Sequence, residues 1–282
     1  YLIDTALSVP RIRLDTWAVD IGGPVERPLR LTYEDLLARP QVERVVTIAC
    51  VSNEVGGDLI GNAVWQGVLL ADLLTEVGVH ADAAQVFGTS VDGWTCGFPV
   101  EVALDGRDSM IALRMNGEQL PLKHGFPARM IVPGLYGYVS ATKWLSRIDL
   151  TTWEEAVGYW VPRGWARDAP IKTQSRIDVP RRGERVPAGR TAVAGIAWAQ
   201  HRGVTKVEVR IDDGEWRETR LGADVTVDAW RQWIYEWNAT PGRHTIQVRA
   251  TDRTGETQTE SVSRPDPDGA TGWHTRTVTV TG

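Results

Sequence analysis

A chain of 282 residues, 42% hydrophobic and 24% charged, is long enough for two cores rather than one. No run approaches the ~18 consecutive apolar residues of a membrane-spanning helix, and a net charge of −5 without a polybasic stretch gives no footing to nucleic acid or an anionic membrane surface. The two cysteines, Cys50 and Cys96, are too few for a disulfide scaffold, an iron–sulfur cluster or a structural zinc site, and no Cys-x-x-Cys-His haem motif occurs. The sequence starts at Tyr1 with neither a methionine nor a basic-then-apolar leader. It reads as a processed product or a piece of a longer polypeptide, with any targeting or membrane segment upstream.

Strand-like and helical runs alternate up to about residue 170. "LTYEDLLARP" (Leu31 to Pro40) carries a Thr32 cap, apolar residues at helical spacing and a proline stop. Strands are expected over Val42 to Ala49, Ala84 to Thr89, Met110 to Met115, Ala128 to Val132 and Trp144 to Leu150. "VLLADLLTEVG" (Val68 to Gly78) repeats the helical pattern and ends at a glycine. Asp92-Gly93 and Asn116-Gly117 are hairpin signals. Residues 1–170 therefore read as a mixed α/β domain.

Beyond residue 170 the helical periods stop. Short alternating strands such as "TAVAGIAWA", "VTKVEVRID", "RQWIYEWNA" and "HTIQVRATD" are divided by turns at Asp213-Gly214 and Pro241-Gly242. Residues 171–282 read as an antiparallel β-sandwich, with Trp198, Trp216, Trp233 and Trp237 as core and sheet-face aromatics. The fold class is α+β: a mixed α/β domain, then an all-β sandwich.

The stretch "RVVTIACVSN" (Arg44 to Asn53) places a cysteine just past a strand. There Cys50 is a small buried hydrophobe, a nucleophile or a soft metal ligand. A nucleophile needs a base, and His124 is the histidine of the mixed domain in a loop of suitable composition. "LKHGFPARMIVPG" (Leu122 to Gly134) holds His124 and Arg129, with Lys143 on the next strand. That trio suits a phosphate: a bidentate arginine, a point-charge lysine and an imidazole donor. Asp92 can accept hydrogen bonds from a heterocycle. Tyr159 lies in an aromatic, glycine-rich segment near the domain boundary, a common setting for clefts.

Taken in order, "TIACVSN", "WQGVLLADLL", "MNGEQLPLKHGFPARMIVPGLYG", "TKWLSRIDL" and "PIKTQSRID" resemble the sulfite oxidase family of molybdopterin-dependent oxidoreductases. The later "AGIAWA", "VEVRIDDGEW" and "GWHT" resemble that family's immunoglobulin-like C-terminal domain. The resemblance implies that Cys50 ligates molybdenum through its thiolate. It implies that Asp92, His124, Arg129, Thr142 and Lys143 bind the molybdopterin, and that Tyr159 is the active-site tyrosine. It further implies oxygen-atom transfer on a small molecule and an electron-transfer partner, either separate or in an upstream membrane region. A homodimer built on the C-terminal domain and an extracytoplasmic or membrane-tethered bacterial setting belong to the same expectation.

The departures bear on substrate. Where sulfite oxidases carry anion-clamping arginines, this sequence has Asp4 and Thr5 in "YLIDTALSVP", Glu54 and Val55 after the cysteine, and no arginine in "PDPDGATGWH". A non-sulfite substrate is therefore expected. The alternatives are a sulfite oxidase proper, with Arg163 or Arg167 supplying the missing cations; a cofactor-free binding or scaffold module; and a Cys50–His124 hydrolase.

Overall fold

The structure, a computed structural model, describes every residue from Tyr1 to Gly282. Two compact units emerge. One comprises Tyr1–Val51 with Gly61–Pro170, the other Ser52–Ile60 with Ile171–Gly282.

The first unit is built on two sheets. One orders its strands Leu29–Thr32, Ala18–Gly22, Leu145–Thr151, Gln85–Ser90 and Thr95–Pro99. Its single parallel pairing joins Ala18–Gly22 to Leu145–Thr151. The other runs Val42–Ala49, Ile60–Leu69, Met110–Met115 and Glu118–Gln119, with Arg129–Ile131 paired on Met110–Met115. Val46, Ala63, Trp65, Met110, Ala112 and Ile131 pack as one cluster on this second sheet. Asn116 and Gly117 both take positive φ, 54° and 80°, as a tight hairpin turn requires.

The mixed α/β reading of this unit needs correction. Strands make up 43% of the chain and helices 10%, so the whole is mostly β. The helices are short: Tyr33–Ala38, Leu70–Val77, Val100–Leu104 and Gly137–Ser140. Thr32 caps the first in a reciprocal capping box with Asp35. The helical stripe read from Val68 is cut short because Val68 and Leu69 end a ten-residue strand, Ile60–Leu69. In that strand Ala63, Trp65 and Gly67 are buried at every second position, a period of two.

The second unit is a two-sheet sandwich. Gln174–Val179, Gly189–Trp198, Arg231–Ala239 and Arg220–Leu221 form one sheet; Arg185–Pro187, His274–Thr281, Gly242–Asp252, Val204–Ile211 and Arg217–Glu218 form the other. Inward-facing Val193, Val207, Val209, Trp233, Trp237, Ile246 and Val248 fill the space between them. Trp198 is buried as well. Trp216 is half-buried, edge-on to Trp273 and beneath the guanidinium groups of Arg210 and Arg249.

His274 anchors the segment Ser52–Ile60 within this unit. A Cβ on Gly56 would lie 2.2 Å from the His274 ring, so only glycine (φ +77°) lets the loop come so close. The His274 Nδ1 accepts the Ile177 N–H at 2.9 Å, and Arg176 donates to the Gly57 carbonyl at 2.9 Å.

Candidate active site

The strand Val42–Ala49 ends at a turn that begins with Cys50. Cys50 is buried and in no disulfide. The remaining predicted residues come from the block between Leu122 and Lys143. A single 3₁₀ turn, Leu122–His124, stops at Gly125, whose φ is +108°. A Cβ there would sit 2.9 Å from the Lys143 Cβ, 3.0 Å from the Lys143 Cα and 3.2 Å from the Arg129 Cβ. Glycine at 125 thus brings His124, Arg129 and Lys143 together.

Arg129 opens the strand Arg129–Ile131 and is 5% exposed. Its Nη1 donates to the His124 carbonyl at 3.1 Å, and the guanidinium lies 5.1 Å over the Trp65 ring. Its Nε is buried with no acceptor. Burial pulls the guanidinium down to about 10, partly opposed by Tyr1. Buried arginines are normally matched by a carboxylate, so this one is a cation prepared for an anion.

The Lys143 ammonium donates to Asp4 Oδ2 at 2.5 Å and to the Lys123 carbonyl at 3.1 Å, and lies 4.6 Å over the Trp144 ring. Burial lowers its pKa, and the Asp4 carboxylate works against that. Trp144 holds a left-handed φ of +50°, rare for a bulky residue, while its indole N–H donates to the Leu122 carbonyl at 2.8 Å. Burial, Arg129 and Lys143 together hold the His124 imidazole below its ordinary pKa. Thr142 is fully buried: its carbonyl accepts the Met130 N–H at 2.9 Å and its hydroxyl lies 3.1 Å from the Cys96 Sγ. Burial pushes the Cys96 thiol up to about 12, which suits a structural role. Asp92 sits exposed at the tip of the Ser90–Thr95 turn, accepts the Trp94 N–H at 3.3 Å, and its charge reaches Lys143.

Tyr159 is placed differently. Its N–H donates to the Thr95 carbonyl at 3.0 Å, Arg163 stacks 3.7 Å over its ring, and Trp160 meets it edge-on at 5.1 Å. These contacts tie it to its own loop and to the strand Thr95–Pro99.

A second phenol, that of Tyr1, lies within reach of the charges of Cys50 and Arg129. Tyr1 is half-buried overall, and removal of its phenol from water and the charge of Cys50 raise its pKa, with Arg129 opposing. Nothing local in the sequence marks Tyr1. Its neighbours are about 50 to 130 residues away, and only the folded topology brings them to it.

An unmatched buried guanidinium, a lysine and a low-pKa imidazole gathered at Gly125, together with the buried soft thiol of Cys50 at the end of its strand, fit an anionic pterin whose metal takes sulfur ligands. Arg129 and Lys143 would hold its phosphate, His124 its polar edge and Cys50 its metal. Once bound, such a cofactor supplies two-electron redox chemistry. The chain's own residues would bind and orient it.

Comparisons with known proteins agree. Residues 6–160 match the family model described as "Oxidoreductase molybdopterin binding domain". Residues 174–248 match "Bacterial Ig domain". Mitochondrial sulfite oxidase of Homo sapiens is 29% identical over 289 residues, covering 86% of this chain and 53% of that protein. The uncharacterized oxidoreductase YuiH of Bacillus subtilis is 37% identical over 149 residues, covering 53% of this chain and 72% of that protein. Among solved structures, the sulfane dehydrogenase SoxCD from Paracoccus pantotrophus superposes with a TM-score of 0.82 at 26% identity, covering 97% of this chain and 80% of that one. The chain spans about half the length of the first curated relatives it matches. It belongs to the molybdopterin-binding oxidoreductases of the sulfite oxidase family. Its cofactor is molybdopterin with molybdenum.

Proposed function

We propose that this chain transfers an oxygen atom to or from a small substrate other than sulfite, and exchanges electrons with a separate redox protein. The observation that carries the reading is the Asp4 carboxylate, 2.5 Å from Lys143. Asp4 stands where the family resemblance places an anion-clamping arginine, so an oxyanion substrate would meet a negative charge in place of a positive one. At an effective dielectric of ~20, a like-charge contact near 4 Å costs on the order of 4 kcal/mol. An uncharged S-oxide or N-oxide meets no such barrier.

The arginines that could restore an anion clamp are engaged elsewhere. Arg163 stacks on Tyr159, and Arg167 lies 4.6 Å over Trp153 beside Asp168. Both are exposed. A Cys50–His124 hydrolase is disfavoured because Arg129 and Lys143 oppose the imidazolium that such a pair needs. A cofactor-free scaffold would have no use for a buried guanidinium without a counter-charge.

The test is steady-state turnover of the loaded protein. One arm supplies sulfite with a one-electron dye acceptor; the other supplies a dialkyl sulfoxide or amine N-oxide with a reduced viologen. Turnover in the oxide arm, with sulfite poor or inactive, is expected. Efficient sulfite oxidation with no oxide reduction would make the chain a sulfite oxidase proper.

A further inference from the structure

The segment Tyr1–Asp4 presents alternate ends of itself to the site. Leu2 and Ile3 are about half exposed, at 48% and 51%, while Tyr1 is half-buried and the Asp4 carboxylate, itself at the surface, pairs with the buried Lys143. The Tyr1 ring lies 3.6 Å from the Cβ position of Gly61, at the start of the strand after the cysteine loop. Its hydroxyl oxygen lies 3.9 Å from the Cβ position of Gly137, a point 3.7 Å from the carbonyl oxygen of Ala49. Ala49 immediately precedes Cys50. The hydroxyl therefore stands where the metal cysteine leaves its strand, in reach of the charges of both Cys50 and Arg129. Three residues on, Asp4 clasps Lys143, so the segment is fixed at both ends.

We propose that Tyr1 is the catalytic hydroxyl of the Cys50 site: its O–H donates a hydrogen bond to an oxygen of the small substrate seated beside Cys50, with the Asp4–Lys143 pair positioning it. The proposal rests on the oxygen-transfer reading above. It gives Tyr1 the part that the family resemblance assigned to Tyr159. The phenol keeps its proton throughout. It withdraws electron density from the substrate oxygen and turns the substrate toward Cys50, both of which favour transfer of that atom. Asp4 is a positioning residue that acts through the segment it anchors.

The experiment compares the parent with Tyr1→Phe, Tyr1→Ala, Tyr159→Phe and, as a surface control, Leu2→Ala. Molybdenum and pterin content, kcat and KM for a dialkyl sulfoxide, and the iodoacetamide labelling rate of Cys50 in cofactor-free protein are measured. Tyr1→Phe is expected to load normally, keep its KM and lose roughly tenfold or more in kcat. Tyr1→Ala, which removes the ring, is expected to raise Cys50 labelling about fivefold or more while Cys96 labelling stays at the parent rate. Leu2→Ala should match the parent in every readout. Parent-like kcat in Tyr1→Phe, a loss carried by Tyr159→Phe instead, or unchanged Cys50 labelling in Tyr1→Ala would each overturn the proposal while leaving oxygen transfer intact. A loaded parent that turns over no oxide would overturn both.

Discussion

Replacing Arg129 with methionine is expected to raise the melting temperature of the cofactor-free protein and to weaken cofactor retention. The two effects have opposite signs, and one cause explains both. The Arg129 guanidinium is 5% exposed, has no carboxylate against it, and leaves its Nε unbonded. Holding its pKa near 10 rather than 12.5 disfavours the charged form by roughly 3 kcal/mol. Methionine removes that penalty. It also gives up the hydrogen bond to the His124 carbonyl, worth about 1 kcal/mol, and a cation–π contact with Trp65 worth about 1 kcal/mol. A net gain of about 1 kcal/mol remains, or a rise of about 2–4 °C. A charge-assisted hydrogen bond to a phosphate is worth about 1.5–3 kcal/mol, so the variant should hold the pterin roughly ten- to hundredfold more weakly. Calorimetry on both proteins, with metal and pterin assays alongside, checks the pair of effects. A lower melting temperature with unchanged loading would show that Arg129 is a structural cation.

The second large effect is a loss of stability in mild acid, traceable to His274. Burial, with Arg276 and Arg176 nearby, lowers its folded pKa to about 4 from 6.5. Its Nδ1 is already committed as acceptor to the Ile177 N–H, and a proton there would break that bond. Because the folded pKa is depressed, the unfolded chain takes up the proton first. The His274 contribution is therefore complete above pH 6.5 and falls away as the pH drops toward 4. Between pH 7.5 and pH 5 it should amount to about 2 kcal/mol. His244 runs the other way: its hydrogen bond to the Asp212 carboxylate, reinforced by the Thr240 carbonyl against the effect of burial, raises its pKa. Its contribution is present in acid and fades as the pH rises through its folded pKa. Urea unfolding at several pH values on the parent and on His274→Gln separates the two. The variant should lose most of the slope between pH 7.5 and pH 5; an unchanged slope would place the acid sensitivity elsewhere. The segment pinned by His274, Ser52–Ile60, begins two residues after Cys50, so acid should loosen the chain shortly beyond the metal ligand.

Much of the site could be read from local chemistry. A β-branched strand ending at Cys50 and a glycine after His124 each follow from short-range preferences, and each keeps that arrangement in the fold, whereas Lys143, read on the next strand, lies in the bend just before the strand Leu145–Thr151. The Asn116-Gly117 turn was readable for the same reason. The helices were over-read. An apolar run such as "VLLADLL" fits either period, and tertiary pairing of Val68 and Leu69 with Ile111 and Met110 decided for a strand. Contacts between distant residues were out of reach. The Asp4–Lys143 pair spans 139 residues, and the site of Tyr1 depends on three separate elements meeting. No periodicity or cap announces such a meeting.

The most direct measurement is molybdenum and pterin per chain, on the parent and on Cys50→Ser, produced in a host that makes the cofactor. The expected result is metal and pterin close to one per chain in the parent, with metal lost and pterin largely kept in the variant, because Arg129 and Lys143 still hold the phosphate while the thiolate is gone. A parent that carries neither, while another family member loads normally in the same host, would contradict the assignment of Cys50, Arg129 and Lys143 as a cofactor site.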